Sequence, residues 1–353
     1  MRAGKENGIV LPSTPGASGQ VLISTGPGTL GWNTPLSIGG SSGDVQFNSS
    51  TALAGASSVK IENGYLRITT GLPTTATGGG VIIGSKDLAG RIMPAFVGPS
   101  GLDCTIQPHL GRNRITQLLP VPNTATYTAI GQAVTTLGTA TARTLATTNF
   151  FTSLPRVAMV GTANLSGSIG GWRTTSTQWW RGNTVNTGGF FYSHTFGISN
   201  ASAQANGRAF VGLISSTSQP SNVEPTTLVN CIGMARLNAN TTWGIYGSDA
   251  SAAGTAGYID LGSNFPANTI NTDVYRLTLF APPGASFINY RVERLNIVDA
   301  SGAVTYVASG TITDTNLLPA NSVFLAAQSW VSTGSLTGTA GIDMVNFYVE
   351  TDV

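Results

Sequence analysis

Aromatic side chains beside polar turns are the residues of this sequence whose types and spacing best suit ligand binding. Flat aromatic faces suit contact with the C–H face of a sugar, and amide, carboxyl or guanidinium groups suit its hydroxyls. The same residue types are common hot spots of protein interfaces, and they also build β-sandwich cores. Ligand contact, subunit packing and core packing therefore stay open for the candidate binding residues, which are Trp172, Trp179, Trp180, Arg181, Tyr192, Trp243, Tyr246 and Asp249.

Two of these candidates are adjacent in the chain. Trp179 and Trp180 fall in a short run that we interpret as a strand, Gln178-Trp179-Trp180-Arg181-Gly182. Successive side chains of a strand point to opposite faces. We therefore expect one of the two rings to point inward and the other to contact a ligand or a partner.

Groups that could perform catalysis are sparse. A glycosidase needs two carboxyl groups about 5 to 9 Å apart, and the five glutamates are scattered along the chain. Glu293 follows Arg291 closely, which predicts an ion pair rather than an acid or base. His109 and His194 are lone histidines far apart in sequence, and no run of acidic residues suggests a metal site. The sequence thus predicts a protein that is not an enzyme and has no cofactor.

The charge content excludes several classes of partner. Charged residues make up 9% of the chain and the net charge is +2 without a basic run, which argues against nucleic-acid binding. No apolar stretch is long enough for a membrane span. So few charges protect a monomer poorly against association, which favours an oligomer. Cys104 and Cys231 lack metal or disulfide spacing and are expected to be buried thiols.

The elements that must position the candidates are strands. From Gly207 to Gly284, short apolar runs are separated by Gly, Asn, Asp and Pro roughly every ten residues, which is typical of a β-sandwich. The run Val274–Phe280 alternates with apolar residues on both faces, which predicts a strand covered on both sides. The sequence is therefore expected to be all-β.

The first part of the chain contains smaller repeating units. Gly19-Gln20-Val21 and Gly43-Asp44-Val45 each place a glycine turn before an alternating strand, and Asn63-Gly64 predicts a hairpin. Units this short cannot bury their own apolar side chains, so we expect three chains to share an axial core. A flexible low-complexity linker is the alternative.

A denser polar cluster follows in a proline-rich segment that begins at Lys86. Its members are Asp103, His109, Arg112 and Arg114. This cluster could hold a neighbouring subunit at a dedicated site, or it could form ordinary ion pairs and backbone caps inside a trimer.

The order of phrases resembles a known family. The phrases AFVGL, IDLG, NFP, YRLTLFAPPG and an intervening TTWGIYGSD resemble the concanavalin A-like jelly-roll module at the ends of bacteriophage tail fibres, over Asn149–Val353. The glycine-turn units and the phrase AGRIMPAFVGPSGLD resemble the N-terminal, shaft and connector regions of tail fibres. The resemblance implies a tail-attachment segment at 1–40, a β-rich shaft at 41–85, a neck at 86–148 and a lectin-like jelly-roll head at 149–353.

The resemblance also implies a function. It suggests an intertwined homotrimer, a structural protein of the virion tail assembled in the bacterial cytoplasm. Its N-terminus would bind other tail or baseplate proteins, and its head would bind a host-surface glycan, expected to be a polysaccharide, or an outer-membrane receptor. The alternatives are an architectural head, collar or baseplate fibre with Trp179 and Trp243 buried, and a polysaccharide depolymerase with clustered carboxylates.

Overall fold

The computed structural model describes residues 5–6, 9–33, 44–49, 52–62, 65–68, 82–97, 103–105, 114–185 and 187–351. These residues belong to two compact units, one formed by residues 1–72 with 83–85 and the other by residues 73–82 with 86–353. Nearly all of the regular structure is β, as the alternating apolar runs predict. Among the described residues, no helix has the length and apolar character needed to cross a membrane.

The first unit contains two small sheets. One has the order β1-β2-β4-β3 and the other β5-β6-β7. The strands are β1 (Lys5–Glu6), β2 (Ile9–Val10), β3 (Val21–Gly26), β4 (Thr29–Asn33), β5 (Asp44–Ser49), β6 (Ala52–Glu62) and β7 (Tyr65–Ile68).

Two predicted hairpins of this unit are confirmed. Leu22 lies opposite Trp32 in the β3–β4 pair, and Glu62 lies opposite Tyr65 in the β6–β7 pair. The side chains of Val21, Leu22 and Ile23 are all exposed. The unit therefore leaves apolar surface uncovered, as expected for units of this size.

The second unit is dominated by a β-sandwich, so the predicted fold class is confirmed. Its larger sheet contains β11 (Arg114–Pro120), β12 (Tyr127–Ile130), β14 (Thr139–Ala142), β15 (Val157–Val160), β18 (Phe190–Ile198), β23 (Tyr275–Ala281), β24 (Ile288–Val298), β25 (Val304–Ile312) and β28 (Gly341–Thr351). The facing sheet contains β13 (Val134–Leu137), β17 (Ile169–Thr174), β19 (Arg208–Ile214), β20 (Cys231–Arg236), β21 (Gly244–Ser248), β22 (Tyr258–Asp260) and β26 (Ala326–Ser332).

Short elements complete the described chain. One three-stranded sheet contains β8 (Ile82–Leu88), β9 (Arg91–Val97) and β10 (Asp103–Thr105), and β16 (Leu165–Ser166) pairs with β27 (Thr337–Gly338). The helices are α1 (Phe150–Ser153) and 3-10 turns at Pro225–Thr227, Gly254–Gly257 and Thr315–Leu317. Residues 114–148 of the predicted neck thus contribute strands β11 to β14 to the sandwich sheets.

Strand β28 lies in the interior of the larger sheet and pairs with three other strands. It pairs with β11 on one side and with β18 on the other, and its first residues also pair with β15. All of these pairings are antiparallel. The β15–β28 pair joins residues 157–160 to residues 341–344.

The core fills the space between the two sheets. Strand β23 places Tyr275, Leu277 and Leu279 in this core, and Thr278 on its opposite face is also buried. Burying a large apolar side chain contributes about 1.5–3 kcal/mol. One face of β23 thus lies in the core, whereas the opposite face is partly covered, with Arg276 and Phe280 half-buried.

Candidate functional site

A surface groove lies on the sandwich beside its β11–β12 hairpin. It encloses about 520 Å³ and is lined by Ile115, Gly131, Thr177, Gln178 and Phe324. Its volume is within the range of about 300–1,000 Å³ typical of small-molecule sites. Three chain segments distant in sequence therefore converge on one concave surface.

A single β-bridge positions the aromatic side of this groove. The backbone N–H groups of Gln178 and Trp179 donate to the Leu325 carbonyl at 2.8 and 3.2 Å, and the Leu325 N–H donates to the Trp179 carbonyl at 2.6 Å. The side chains of Trp179 and Leu325 are fully buried. Since neighbouring side chains of an extended segment point to opposite faces, Trp180 and Phe324 are directed outward.

The two outward rings form a stacked pair. The ring centroids of Trp180 and Phe324 are 5.2 Å apart, with an interplanar angle of 28°. Trp180 is half-buried, whereas Phe324 is 49% exposed and lines the groove. The stack holds the Phe324 ring in place and leaves much of it accessible to a ligand. The predicted split between an inward and an outward tryptophan is confirmed.

The opposite wall is fixed by the β11–β12 hairpin. Gly131 has φ +86°, and a Cβ at this position would lie 1.9 Å from the Ile115 carbonyl oxygen, so the wall requires glycine. Gln132 Nε2 donates to the Ser176 carbonyl at 2.8 Å, which ties this hairpin to the segment that carries Thr177. The groove is thus built from segments held by hydrogen bonds.

The groove wall is free of ionisable side chains among the described lining residues. The sequence from Cys104 to Val223, which supplies two of the three segments, contains no aspartate or glutamate. Thr177 contributes a hydroxyl and Gln178 an amide, and both groups can donate and accept hydrogen bonds. The surface therefore offers an aromatic face and neutral polar groups.

Five of the sequence-predicted binding residues lie in the interior. The side chains of Trp172, Trp179, Tyr192, Trp243 and Tyr246 are at most 1% exposed. The prediction that these rings form an outer binding face is therefore wrong for them, and the core alternative holds. Trp172, Trp179, Tyr192 and Trp243 belong to the main buried core cluster, and Tyr246 belongs to a second one. These clusters join distant segments, which local alternation cannot reveal.

Aromatic contacts explain the interior position of these rings. Phe347 makes edge-to-face contacts with Trp172 and Tyr192, at centroid distances of 4.8 and 5.6 Å. Trp243 contacts Phe196 in the same manner at 5.5 Å. Such pairs contribute about 0.5–1.5 kcal/mol beyond the burial of their area. These candidates stabilise the sandwich.

The two charged candidates also lie outside the groove lining. Arg181 is 6% exposed, and desolvation lowers its pKa. Its Nε and Nη1 atoms have no hydrogen-bond partner within the part of the chain that the structure describes. Asp249 is half-buried and accepts a hydrogen bond from the Ser251 N–H at 2.7 Å, which caps its own turn. Of the eight candidates, Trp180 alone stacks on a groove residue.

His194 is a fully buried residue of the sandwich. Its ring contacts Trp172 edge-to-face at a centroid distance of 5.3 Å, and its Nδ1 lies 3.4 Å from the Tyr192 hydroxyl. Burial lowers the pKa of His194 to about 3 because the cation loses its hydration. His194 is therefore neutral at physiological pH.

Carboxylates of the sandwich are held by arginines. Glu293 lies 3.0 Å from Arg291 and 3.7 Å from Arg276, so the predicted ion pair is confirmed. Asp273 lies 2.9 Å from Arg294 and also accepts a hydrogen bond from Asn296. Each carboxylate thus has a structural partner.

Several predicted features lie outside the described side chains. The side chains of the polar cluster (Asp103, His109, Arg112 and Arg114) and of Cys104 are among them. Cys231 is buried, and desolvation raises its pKa to about 12, so it is an unreactive thiol as expected.

Phe324, Thr177 and Gln178 are the site residues that sequence reasoning missed. The alternation rule applied to Phe324-Leu325 would have placed one of these side chains outward, as it did for the two tryptophans. The bridge that joins the two segments connects residues far apart in the chain, and no local pattern indicates it.

Comparisons with known proteins show similarity in fold. No protein-family model matches the chain, and no curated protein matches its sequence. Solved structures do match, and the sandwich is similar in fold to legume lectins. Peanut lectin with a 9mer peptide shares 12% identity at a TM-score of 0.42, covering 68% of this chain and 97% of the lectin. Arcelin-5, a lectin-like defence protein from Phaseolus vulgaris, shares 11% identity at a TM-score of 0.40, covering 68% of this chain and 99% of arcelin-5. A protein of unknown function from Shewanella oneidensis MR-1 shares 8% identity at a TM-score of 0.42, covering 68% of this chain and 86% of that protein.

Proposed function

We propose that this protein is a non-enzymatic bacteriophage tail fibre that binds a host-surface saccharide through the groove beside Phe324. The observation that carries the binding role is the exposed Phe324 ring, stacked on Trp180 at a groove that also presents Thr177 and Gln178. The tail-fibre role is supported by the resemblance of the glycine-turn units and of the jelly-roll phrases.

The groove is suited to a weak contact that is repeated in several copies of the chain. Covering an exposed phenylalanine with the apolar face of a sugar contributes about 25 cal/mol per Å² of apolar area removed from water. Neutral hydrogen bonds add about 0.5–1.5 kcal/mol each. A single groove would therefore bind weakly, and three copies on one fibre would strengthen attachment through multivalency.

The remaining parts of the proposal concern assembly. The chain forms a homotrimer, its N-terminal segment attaches to other tail or baseplate proteins, and the fibre is a virion component assembled in the bacterial cytoplasm. Exposed apolar side chains of β3 (Val21, Leu22 and Ile23) support the trimer, because a shared axial core would cover them.

An architectural fibre without a receptor role is the second candidate. Burial of Trp179 and Trp243 favours it, because that role predicts these rings inside the sandwich. The accessible Phe324 ring favours binding instead. Catalysis is not proposed, and the pairing of Glu293 and Asp273 with arginines supports binding without hydrolysis.

The test of the binding role uses the full chain and an array of bacterial surface polysaccharides. We expect Phe324→Ala to weaken binding at least about tenfold, since an aromatic anchor of an interface is worth about 1.4 kcal/mol or more. Phe150→Ala is the matched control, because Phe150 is 43% exposed and lies on α1, outside the groove lining. Equal binding by wild type and Phe324→Ala would contradict the proposed site.

The test of the assembly is the mass in solution by light scattering. A homotrimer has three times the chain mass of 36.2 kDa. A monomeric mass would overturn the shared-core shaft. A trimer that binds no polysaccharide and no bacterial cell would instead favour the architectural fibre.

A further inference from the structure

We infer that the groove recognises an uncharged saccharide segment through the Phe324 ring and the neutral polar groups of Thr177 and Gln178. This inference rests on the proposed binding role and names the ligand class of that site. The supporting observations are the side chains that line the groove, the directions of the neighbouring arginine side chains, and the exposure of the groove residues.

The groove contains no described group that would compensate a charged ligand. A carboxylate or sulfate placed against Phe324 would lose hydration and gain no ionic partner from the described lining residues. A cationic ligand would likewise find no carboxylate, because the segment from Cys104 to Val223 has none and Ala320–Leu325 has none. Ligands of either charge are therefore disfavoured relative to a neutral one.

Two arginines close in sequence to Thr177 and Gln178 have described side chains, and neither is directed into the groove. Arg173 Nη1 donates to the Thr217 carbonyl, which lies on a different segment of the sandwich. Arg181 follows the outward Trp180, and its Nε and Nη1 atoms are buried. Neither guanidinium is part of the groove lining. The guanidinium groups of Arg173 and Arg181 are therefore not offered to a ligand in the groove.

The polar groups that are present match sugar hydroxyls. A hydroxyl both donates and accepts, and so do the threonine hydroxyl and the glutamine amide. A pyranose also has an apolar C–H face, for which the exposed Phe324 ring is the complementary surface. Aromatic contact and neutral hydrogen bonding together select for saccharide chemistry without an ionic group.

The accessible rim indicates how such a ligand enters. Gly131, Thr177 and Phe324 are all exposed, so the groove opens onto the surface rather than into the core. A segment within a longer polysaccharide can therefore enter sideways, without a free chain end.

Two variants that each place one charge of opposite sign at Thr177 test the inference. The full chain, Thr177→Asp and Thr177→Arg are titrated with neutral gluco-, galacto- and manno-oligosaccharides and with oligosaccharides that contain uronic or sialic acid. Thr177 is exposed, so both variants are expected to fold, which their thermal midpoints check.

If the ligand is uncharged, we expect the dissociation constants of Thr177→Asp and Thr177→Arg to differ by less than about twofold. Binding also stays unchanged between about 0.05 M and about 0.5 M salt, since no charge is available to be screened. A preference for acidic oligosaccharides, with Thr177→Arg at least about tenfold tighter than Thr177→Asp, would overturn the inference.

Phe324→Ala separates this inference from the proposed function. If the wild type binds acidic oligosaccharides and Phe324→Ala does not, the binding role stands and the neutral class is wrong. If no saccharide binds to the wild type, or if Phe324→Ala binds as well as the wild type, the proposed binding role itself fails.

Discussion

Arg156 Nε donates to a carboxylate oxygen of Asp343 at 3.0 Å, and both side chains are buried. The two residues are 187 positions apart in the chain, on or beside the paired strands β15 and β28. Arg143 approaches the same carboxylate at 3.2 Å, and the Ser199 hydroxyl donates to it. One buried carboxylate thus connects three separate segments of the sandwich.

Removal of this carboxylate is expected to destabilise the protein strongly. Asp343→Ala leaves the Arg156 guanidinium buried without its charged partner, which typically costs about 3–5 kcal/mol. Urea unfolding measures the loss. Asp299→Ala, at an exposed turn, is the control and is expected to leave the urea midpoint nearly unchanged. A similar loss in both variants would show that the buried ion pair contributes little.

Acidification is expected to destabilise the protein through His194. Its folded pKa of about 3 lies below the unfolded value of about 6.5, so between these values the unfolded chain binds one more proton. The stabilisation is complete above pH 6.5 and falls by about 1.4 kcal/mol per pH unit below it. The free energy of unfolding should therefore drop by about 2 kcal/mol between pH 7 and pH 5.

The variant His194→Phe tests this assignment, because phenylalanine keeps an aromatic ring and removes the titrating group. The free energy of unfolding is measured with denaturant at pH 7, 6 and 5 for both proteins. The difference between wild type and His194→Phe should change by about 2 kcal/mol from pH 7 to pH 5. Parallel pH profiles for the two proteins would assign the acid sensitivity to other groups.

Substitution by alanine is expected to have very different effects on stability at the adjacent residues Phe324 and Leu325. Leu325→Ala opens a cavity in the core and should cost about 2–5 kcal/mol, whereas Phe324→Ala removes an exposed ring and should cost less than about 1 kcal/mol. Urea midpoints of the two variants check this. Equal losses would mean that Phe324 is part of the core rather than a binding residue.

Arg91 is expected to fix strand β9 onto the sandwich. It forms an ion pair with the buried Glu350, and its guanidinium carbon lies 5.1 Å from the centre of the Phe191 ring. Arg91→Ala should raise the hydrogen-exchange rates of β9 amides at least about tenfold, as local opening becomes easier. Arg91→Lys should be intermediate, because lysine keeps the charge and loses the planar stack.

Arg276→Ala is the matched control for this measurement. Arg276 lies 3.7 Å from Glu293, and its side chain is 43% exposed, so the pair is worth little. Unchanged exchange of β9 amides in Arg91→Ala would show that the strand is held by other contacts.

Local rules predicted the parts of the fold that depend on neighbouring residues. The Asn63-Gly64 sequence predicted the β6–β7 hairpin, and the alternation of Val274–Phe280 predicted a strand, β23, of which one face lies in the core. The contrast between Trp179 and Trp180 also followed from adjacency alone.

Long-range pairing explains what could not be predicted. Trp172 and Trp243 look like surface aromatics beside polar turns, but Phe347 and Phe196 from distant strands cover them. The groove depends on the bridge between Trp179 and Leu325, which joins segments with no shared sequence signal. The aromatic composition thus predicted a recognition chemistry, and the tertiary pairing decided which ring remains accessible.

The interior position of β28 has a consequence for biosynthesis. Strands β11 and β18 flank it, so each has only its other neighbour, β12 or β23, to pair with until residues 341–351 have left the ribosome. Until then, one edge of each of these strands is open to pairing with another chain, and the low charge of the sequence offers little repulsion against it. Completion of the larger sheet therefore waits for these residues, and a chain terminated before Gly341 exposes unpaired strand edges to aggregation and proteolysis.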